Sequence, residues 1–180
     1  MKWEEKLERL SRGEFLKISM IWTGGFWMYG IPTEPTMTFR VLTDEESEIM
    51  DTLADCIIPP DNFAGGKDAG VTNFIDQQIG DNGYLSEDKL MYKTCLPALN
   101  KGSISDYGKR FIALKESPRI EYLKKIEAGD YDNQPSGNDW GQFLPSSFFG
   151  KMKDQCMMGF YGSPKHGGNK NYISYRMIRF

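Results

Sequence analysis

Between Thr43 and Pro60 the chain has little choice but to form a helix. Thr43-Asp44-Glu45-Glu46 is a capping box, in which the Thr43 hydroxyl accepts from the Glu46 amide and the Glu46 carboxylate reaches back to the Thr43 amide. Ile49, Leu53 and Ile57 follow at every fourth residue, which places them on one helical face. Pro59-Pro60 stops the run, because proline offers no amide hydrogen and clashes with the preceding turn. The three carboxylates Asp44, Glu45 and Glu46 read as first-turn residues that offset the helix dipole, not as an acid–base pair.

The same punctuation recurs downstream. Asp68 is the expected cap of a second helix, with Val71, Phe74, Ile75 and Ile79 on one side and a stop at Gly80. Ser86 precedes a third, whose stripe is Met91, Tyr92, Cys95, Leu96 and Leu99. Pro97 predicts a kink or early end there, and Gly102 the close. Ser117-Pro118 opens a fourth through Ile120, Leu123 and Ile126 to Gly129. Asp130 to Gly141 reads as a solvated loop. Phe148, Phe149, Met152, Cys156 and Phe160 mark a fifth helix, opened near Pro145-Ser146 and loosened at Gly159. The expected fold is all-α: a compact domain of about five helices, residues 41–180. Its tail, Tyr172 to Ile178, is rich in β-preferring residues and is expected to be extended.

Ahead of this domain lie a segment, residues 1–30, and a Pro/Thr-rich linker, residues 31–40. Ser11-Arg12-Gly13-Glu14-Phe15-Leu16-Lys17 followed by apolar Ile18 to Tyr29 has the layout of an export signal. It resembles a twin-arginine signal with Gly13 in the second arginine position. A weakened signal, a relic and an amphipathic docking helix all fit, and an export-derived segment is the favoured reading.

Composition excludes several functions. With 22 Lys and Arg against 25 Asp and Glu, and no basic stripe along the chain, nucleic acid is not an expected partner. Cys56, Cys95 and Cys156 form no CxxC pair, so no zinc site is expected; three separately buried thiols are the plainer reading than a bond to another chain. Asp61, Asn62 and Asp68 lack the spacing of an EF-hand loop. There is no GxGxxG before a helix, no P-loop and no HExxH, so no cofactor is expected in this chain. Ser11, Ser146 and Ser147 have no nearby base to activate them.

His166, the sole histidine, stands out by its setting. Ser163-Pro164 bends the chain ahead of it, Gly167-Gly168 permits positive φ behind it, and Asn169 can bond its own backbone. A surface or structural histidine is as good a reading as a functional one. As a functional group it suits a contact surface, a sugar hydroxyl or proton transfer, and with Lys165 the loop could bind an anion.

Gly159-Phe160-Tyr161-Gly162-Ser163-Pro164-Lys165-His166-Gly167-Gly168-Asn169, with the aromatic tail to Phe180, resembles the carboxyl-terminal signature of the gluconate 2-dehydrogenase subunit 3 family. Leu42 to Pro59 and Gly70-Val71-Thr72-Asn73-Phe74-Ile75-Asp76 resemble other parts of that family, so the likeness spans roughly residues 41–180. The resemblance implies an accessory subunit, not a complete enzyme. Its partner would be a glucose-methanol-choline (GMC) type flavoprotein that holds FAD and oxidises a sugar, in the periplasm or at the periplasmic face of the inner membrane. It implies co-export of that partner where a signal is present, and a cytochrome c as electron acceptor. The partner surface is expected at Phe160, Tyr161, Ser163, Pro164, His166, Gly167, Gly168, Asn169, Tyr172 and Tyr175. His166 is the candidate sugar contact, marking a subgroup that oxidises glycosides at carbon 3. The alternatives are a free-standing periplasmic binding module, told apart by whether yellow colour co-purifies, and an enzyme using His166 as general base.

Overall fold

The structure, a computed structural model, describes residues 39–133 and 139–177. The signal-like segment and most of the linker lie outside the described residues. Among the described residues six α-helices follow one another: α1 (Asp44–Ile57), α2 (Val71–Gln78), α3 (Lys89–Tyr107), α4 (Glu116–Ala128), α5 (Pro145–Tyr161) and α6 (Ile173–Met177). No strand occurs among the described residues, so the all-α expectation holds.

The capping box of α1 is complete. The Thr43 amide donates to Glu46 Oε2 at 2.8 Å and the Glu46 amide to Thr43 Oγ1 at 3.3 Å. Glu46 also pairs with Lys93 of α3, which ties the start of α1 to its neighbour. Ile49 and Leu53 are buried as their spacing predicts, together with Met50 and Ala54.

α5 is the central element and packs against α1, α2, α3 and α4. Its predicted stripe, Phe148, Phe149, Met152, Cys156 and Phe160, is buried throughout. A polar relay crosses from α3 to α5 inside this packing. The Tyr92 hydroxyl donates to Gln155 Oε1, and Gln155 Nε2 donates to Asp88 Oδ2 at 2.6 Å. Burial pushes the Tyr92 hydroxyl well above its ordinary range, so it stays a donor. Cys95 and Cys156 are buried free thiols, and burial pushes both up to about 12; Cys56 is half-buried and free.

Four boundary expectations are corrected. α3 runs through both Pro97 and Gly102 and ends at Gly108, left-handed at φ 66°. Pro97 removes only the bond to the Lys93 carbonyl, while Cys95, Leu96, Ala98 and Leu99 are buried on either side of it and hold the helix in place. Gly102 is a packing glycine: a Cβ there would stand 2.3 Å from the Tyr122 hydroxyl, which donates to the Leu99 carbonyl. Asp68 does not cap α2; Gly70 takes that position at φ 76°, which favours glycine. α4 begins at Glu116, just ahead of the Ser117-Pro118 signal.

The loop from Asp130 is not simply solvated. The Tyr131 ring packs on Tyr122 at 5.4 Å, Trp140 packs on Phe148 at 6.0 Å, and Asp132 Oδ1 accepts from the Ser146 amide at 3.0 Å, capping α5 from outside. Nor does α5 loosen at Gly159, and the tail is not extended. Residues 173–177 form α6, because Asn169 Oδ1 accepts from the Ser174 amide at its start and the described residues offer no strand to reward an extended chain.

Candidate functional site

The segment from Gly159 to Met177 leaves the end of α5, turns through two short 3-10 pieces, Pro164–His166 and Lys170–Tyr172, and returns as α6. Asn169 is its keystone. Its side chain is fully buried and its backbone is left-handed at φ 44°. The Asn169 amide donates to the Gly159 carbonyl at 2.8 Å and Asn169 Nδ2 to the Gly162 carbonyl at 2.8 Å. One side chain thus satisfies the carboxyl end of α5 and, through Oδ1, the amino end of α6.

The same loop is clamped to α2. Asn73 Nδ2 donates to the Gly167 carbonyl at 2.7 Å, and the Lys170 amide donates to the Ala69 carbonyl at 2.9 Å. The glycines serve these internal contacts. A Cβ on Gly168 would lie 2.2 Å from the Gly159 carbonyl oxygen. One on Gly167, at φ 94°, would lie 2.8 Å from the Gln77 side chain. The close approach they permit is to α2 and α5 of this chain.

The ten predicted surface residues divide accordingly. Phe160, Gly168 and Asn169 are buried inside the chain, and Ser163, Pro164, Gly167 and Tyr175 are half-buried. Tyr175 donates its hydroxyl to the Gly162 carbonyl at 3.3 Å. Tyr161, His166 and Tyr172 are exposed. Close by, sequence reasoning missed Met157 and Met158, which share the outer face of α5 with Tyr161 and are 47% and 42% exposed. An apolar pair at two consecutive positions breaks the burial stripe of α5, and that break was the available signal. It also missed the receiving side, Asn73 and Gln77, a polar i,i+4 pair on α2.

His166 stands at the end of a 3-10 turn whose backbone is fixed by the His166 amide on Ser163 and the Gly167 amide on Pro164, both 3.1 Å. Its imidazole is exposed. Among the described residues no group of three His, Cys, Asp and Glu side chains is placed to hold a metal ion. The site offers one rigidly based imidazole amid exposed aromatic and thioether surface.

Asp76 completes the picture of α2. It is 1% exposed, and its carboxylate accepts from three successive amides, those of Arg40 (2.7 Å), Val41 (2.9 Å) and Leu42 (2.9 Å). One helix therefore grips both the entry to the domain and the carboxyl-terminal loop. Gly70, Asn73 and Asp76 each have a structural task in this grip.

All of these elements past Thr43 lie within residues 44–180, which match the family model described as gluconate 2-dehydrogenase subunit 3. The chain belongs to that family. No curated protein and no solved structure matches it. As a subunit 3 protein it is associated with a dehydrogenase complex by the family's own description, and the clamp between α2 and the carboxyl-terminal loop lies wholly inside the matched span.

Proposed function

We propose that this chain is a small accessory subunit that binds and stabilises an FAD-dependent, GMC-type catalytic subunit acting on a sugar or glycoside. The observation that carries this reading is the exposure of Met157, Met158, Tyr161 and Tyr172 beside the buried family block. Met and aromatic residues are enriched at protein interfaces, and on this chain three of them end α5 and the fourth, Tyr172, sits on the clamped loop that follows. A preformed, clamped surface loses little entropy on docking. The catalytic chemistry then belongs to the partner's flavin, and this chain contributes surface and shape. Where the amino-terminal segment acts as an export signal, the folded partner would travel with it to the periplasm, and a cytochrome c would receive the electrons.

Tagged chain co-expressed with the GMC-type flavoprotein encoded near it is expected to elute as a yellow complex with a fixed stoichiometry. A colourless, stable monomer eluting alone would refute the proposal. His166 is proposed to hydrogen-bond the bound sugar from the rim of the partner's pocket. His166→Ala is therefore expected to raise KM for the sugar about tenfold, with kcat for the reconstituted complex little changed, as for loss of one uniform binding contact. Unchanged kinetics would leave the imidazole without a part in substrate binding.

A further inference from the structure

After Asp154 the sequence contains four Lys and Arg residues and neither Asp nor Glu, in a chain whose net charge is -3. Spaced five or six residues apart, Lys165, Lys170 and Arg176 do not read as a basic stripe. All three stand on the segment that Asn169 ties together through residues 159, 162 and 174, and Lys170 borders a hollow it shares with Asp51, Lys67 and Asp68. Lys165, Lys170 and Arg176 are all exposed. Elsewhere Lys67, Lys89, Lys93, Lys101, Arg110, Lys125, Lys151 and Lys153 each reach a carboxylate. None of the three tail cations takes part in an ion pair among the described residues.

The apolar part of the same end is arranged for contact. Tyr172 is 57% exposed although its backbone is held at φ 58°, a conformation costly for an aromatic residue, with Asn171 also at φ 58°. Strain of this kind persists where the surrounding structure over-determines it, and it clusters at functional surfaces. The ring lies 5.9 Å from Tyr175, which is anchored to the Gly162 carbonyl.

From this charge segregation we propose that the carboxyl-terminal end of the domain is the docking surface for an acidic patch on the flavoprotein. Met and Tyr would form the contact's apolar centre and the three cations its charged rim. This rests on the subunit reading above and adds to it the location and the sign of the interface. A protein partner fits better than a lipid surface. Membrane-binding basic segments carry dense clusters of Lys and Arg with Trp, Phe or Leu to insert, and the exposed apolar residues here are Met and Tyr. Rim charges act mainly by steering association and are screened by salt.

The test measures the affinity of the full chain for the purified flavoprotein, and its retention on phosphatidylserine vesicles, for wild type and two triple variants. Lys165→Glu with Lys170→Glu and Arg176→Glu reverses the tail. Lys109→Glu with Lys115→Glu and Lys124→Glu makes the same change at exposed cations elsewhere. The tail variant is expected to raise Kd at least about 30-fold, mostly through a slower association rate, and the control less than about 3-fold. Raising salt from about 50 mM to about 500 mM is expected to weaken the wild-type complex about tenfold or more, a readout that needs no variant. A wild-type complex indifferent both to salt and to the tail variant would overturn this inference and leave the subunit reading standing. A tail variant that binds flavoprotein normally but loses the vesicles would assign the surface to a membrane and overturn it too. Failure of the wild type to bind flavoprotein at all would remove the subunit reading, and this inference with it.

Discussion

Asp76→Ala is expected to lower unfolding stability by about 3–5 kcal/mol, the sum of lost charge-assisted bonds and stranded amides. Three consecutive backbone amides, of Arg40, Val41 and Leu42, converge on one carboxylate that is 1% exposed. Alanine supplies no acceptor for these amides. The Leu42 bond is buried, so its amide would have no water to turn to. For a domain of this size the loss corresponds to a fall in Tm of roughly 6–20 °C. Asp76→Asn keeps one acceptor oxygen but turns a donor group toward donors, and is expected to fall between the two. Denaturant unfolding of the three proteins is the measurement. A change below about 0.5 kcal/mol for Asp76→Ala, the range of neutral surface substitutions, would show that residues 40–42 do not depend on this clasp.

Gly168→Ala should be nearly as severe, by a different mechanism. The new Cβ would stand 2.2 Å from the Gly159 carbonyl oxygen, a backbone atom in a buried helix that cannot swing aside. That same oxygen accepts from the Asn169 amide, so moving the loop away breaks the bond that seats Asn169. Asn169 in turn carries the bonds to Gly162 and Ser174, and the damage propagates to both helix ends. A loss of about 2–4 kcal/mol is expected, in the range of a forced core expansion plus one buried hydrogen bond. It need not be global. The tail can detach locally while α1–α5 stay folded, as low-stability units do. Limited proteolysis between Gly162 and Arg176 should then accelerate at least about tenfold even if the main unfolding transition moves little. Wild-type proteolysis together with a wild-type Tm would show that the glycine is not needed for close approach.

These two sites were not equally legible. Gly168 sits in a glycine-rich block that marks itself, and the sequence alone already says that some backbone must come close there. It does not say whose. The structure answers with α5 of the same chain, which makes Gly168 an internal joint. Asp76 carried no local sign of its task, since a lone acidic residue in a helix is usually solvated. Its partners are 34 to 36 positions away, and hydrogen bonds at that separation leave no period in the sequence.

The helices themselves were largely written in local chemistry. Thr43 and Glu46 cap α1, Ile49 and Leu53 of its stripe and the whole stripe of α5 are buried while Ile57 is half-buried, and Gly129 closes α4 in a left-handed turn at φ 82°. Such features depend on neighbours within four residues, so the chain determines them before it folds further. Where tertiary packing competed, it won. Pro97 and Gly102 lie inside α3 because its buried face and the ring of Tyr122 outweigh one missing hydrogen bond and a poor helix former. The tail is helical because Asn169, held by α5, presents a capping oxygen to it, although its residues favour a strand. Sequence by itself determined which segments are helices and which faces are apolar. The tertiary structure decided what each loop touches, because those contacts are made between residues too distant in the chain for any local pattern to record.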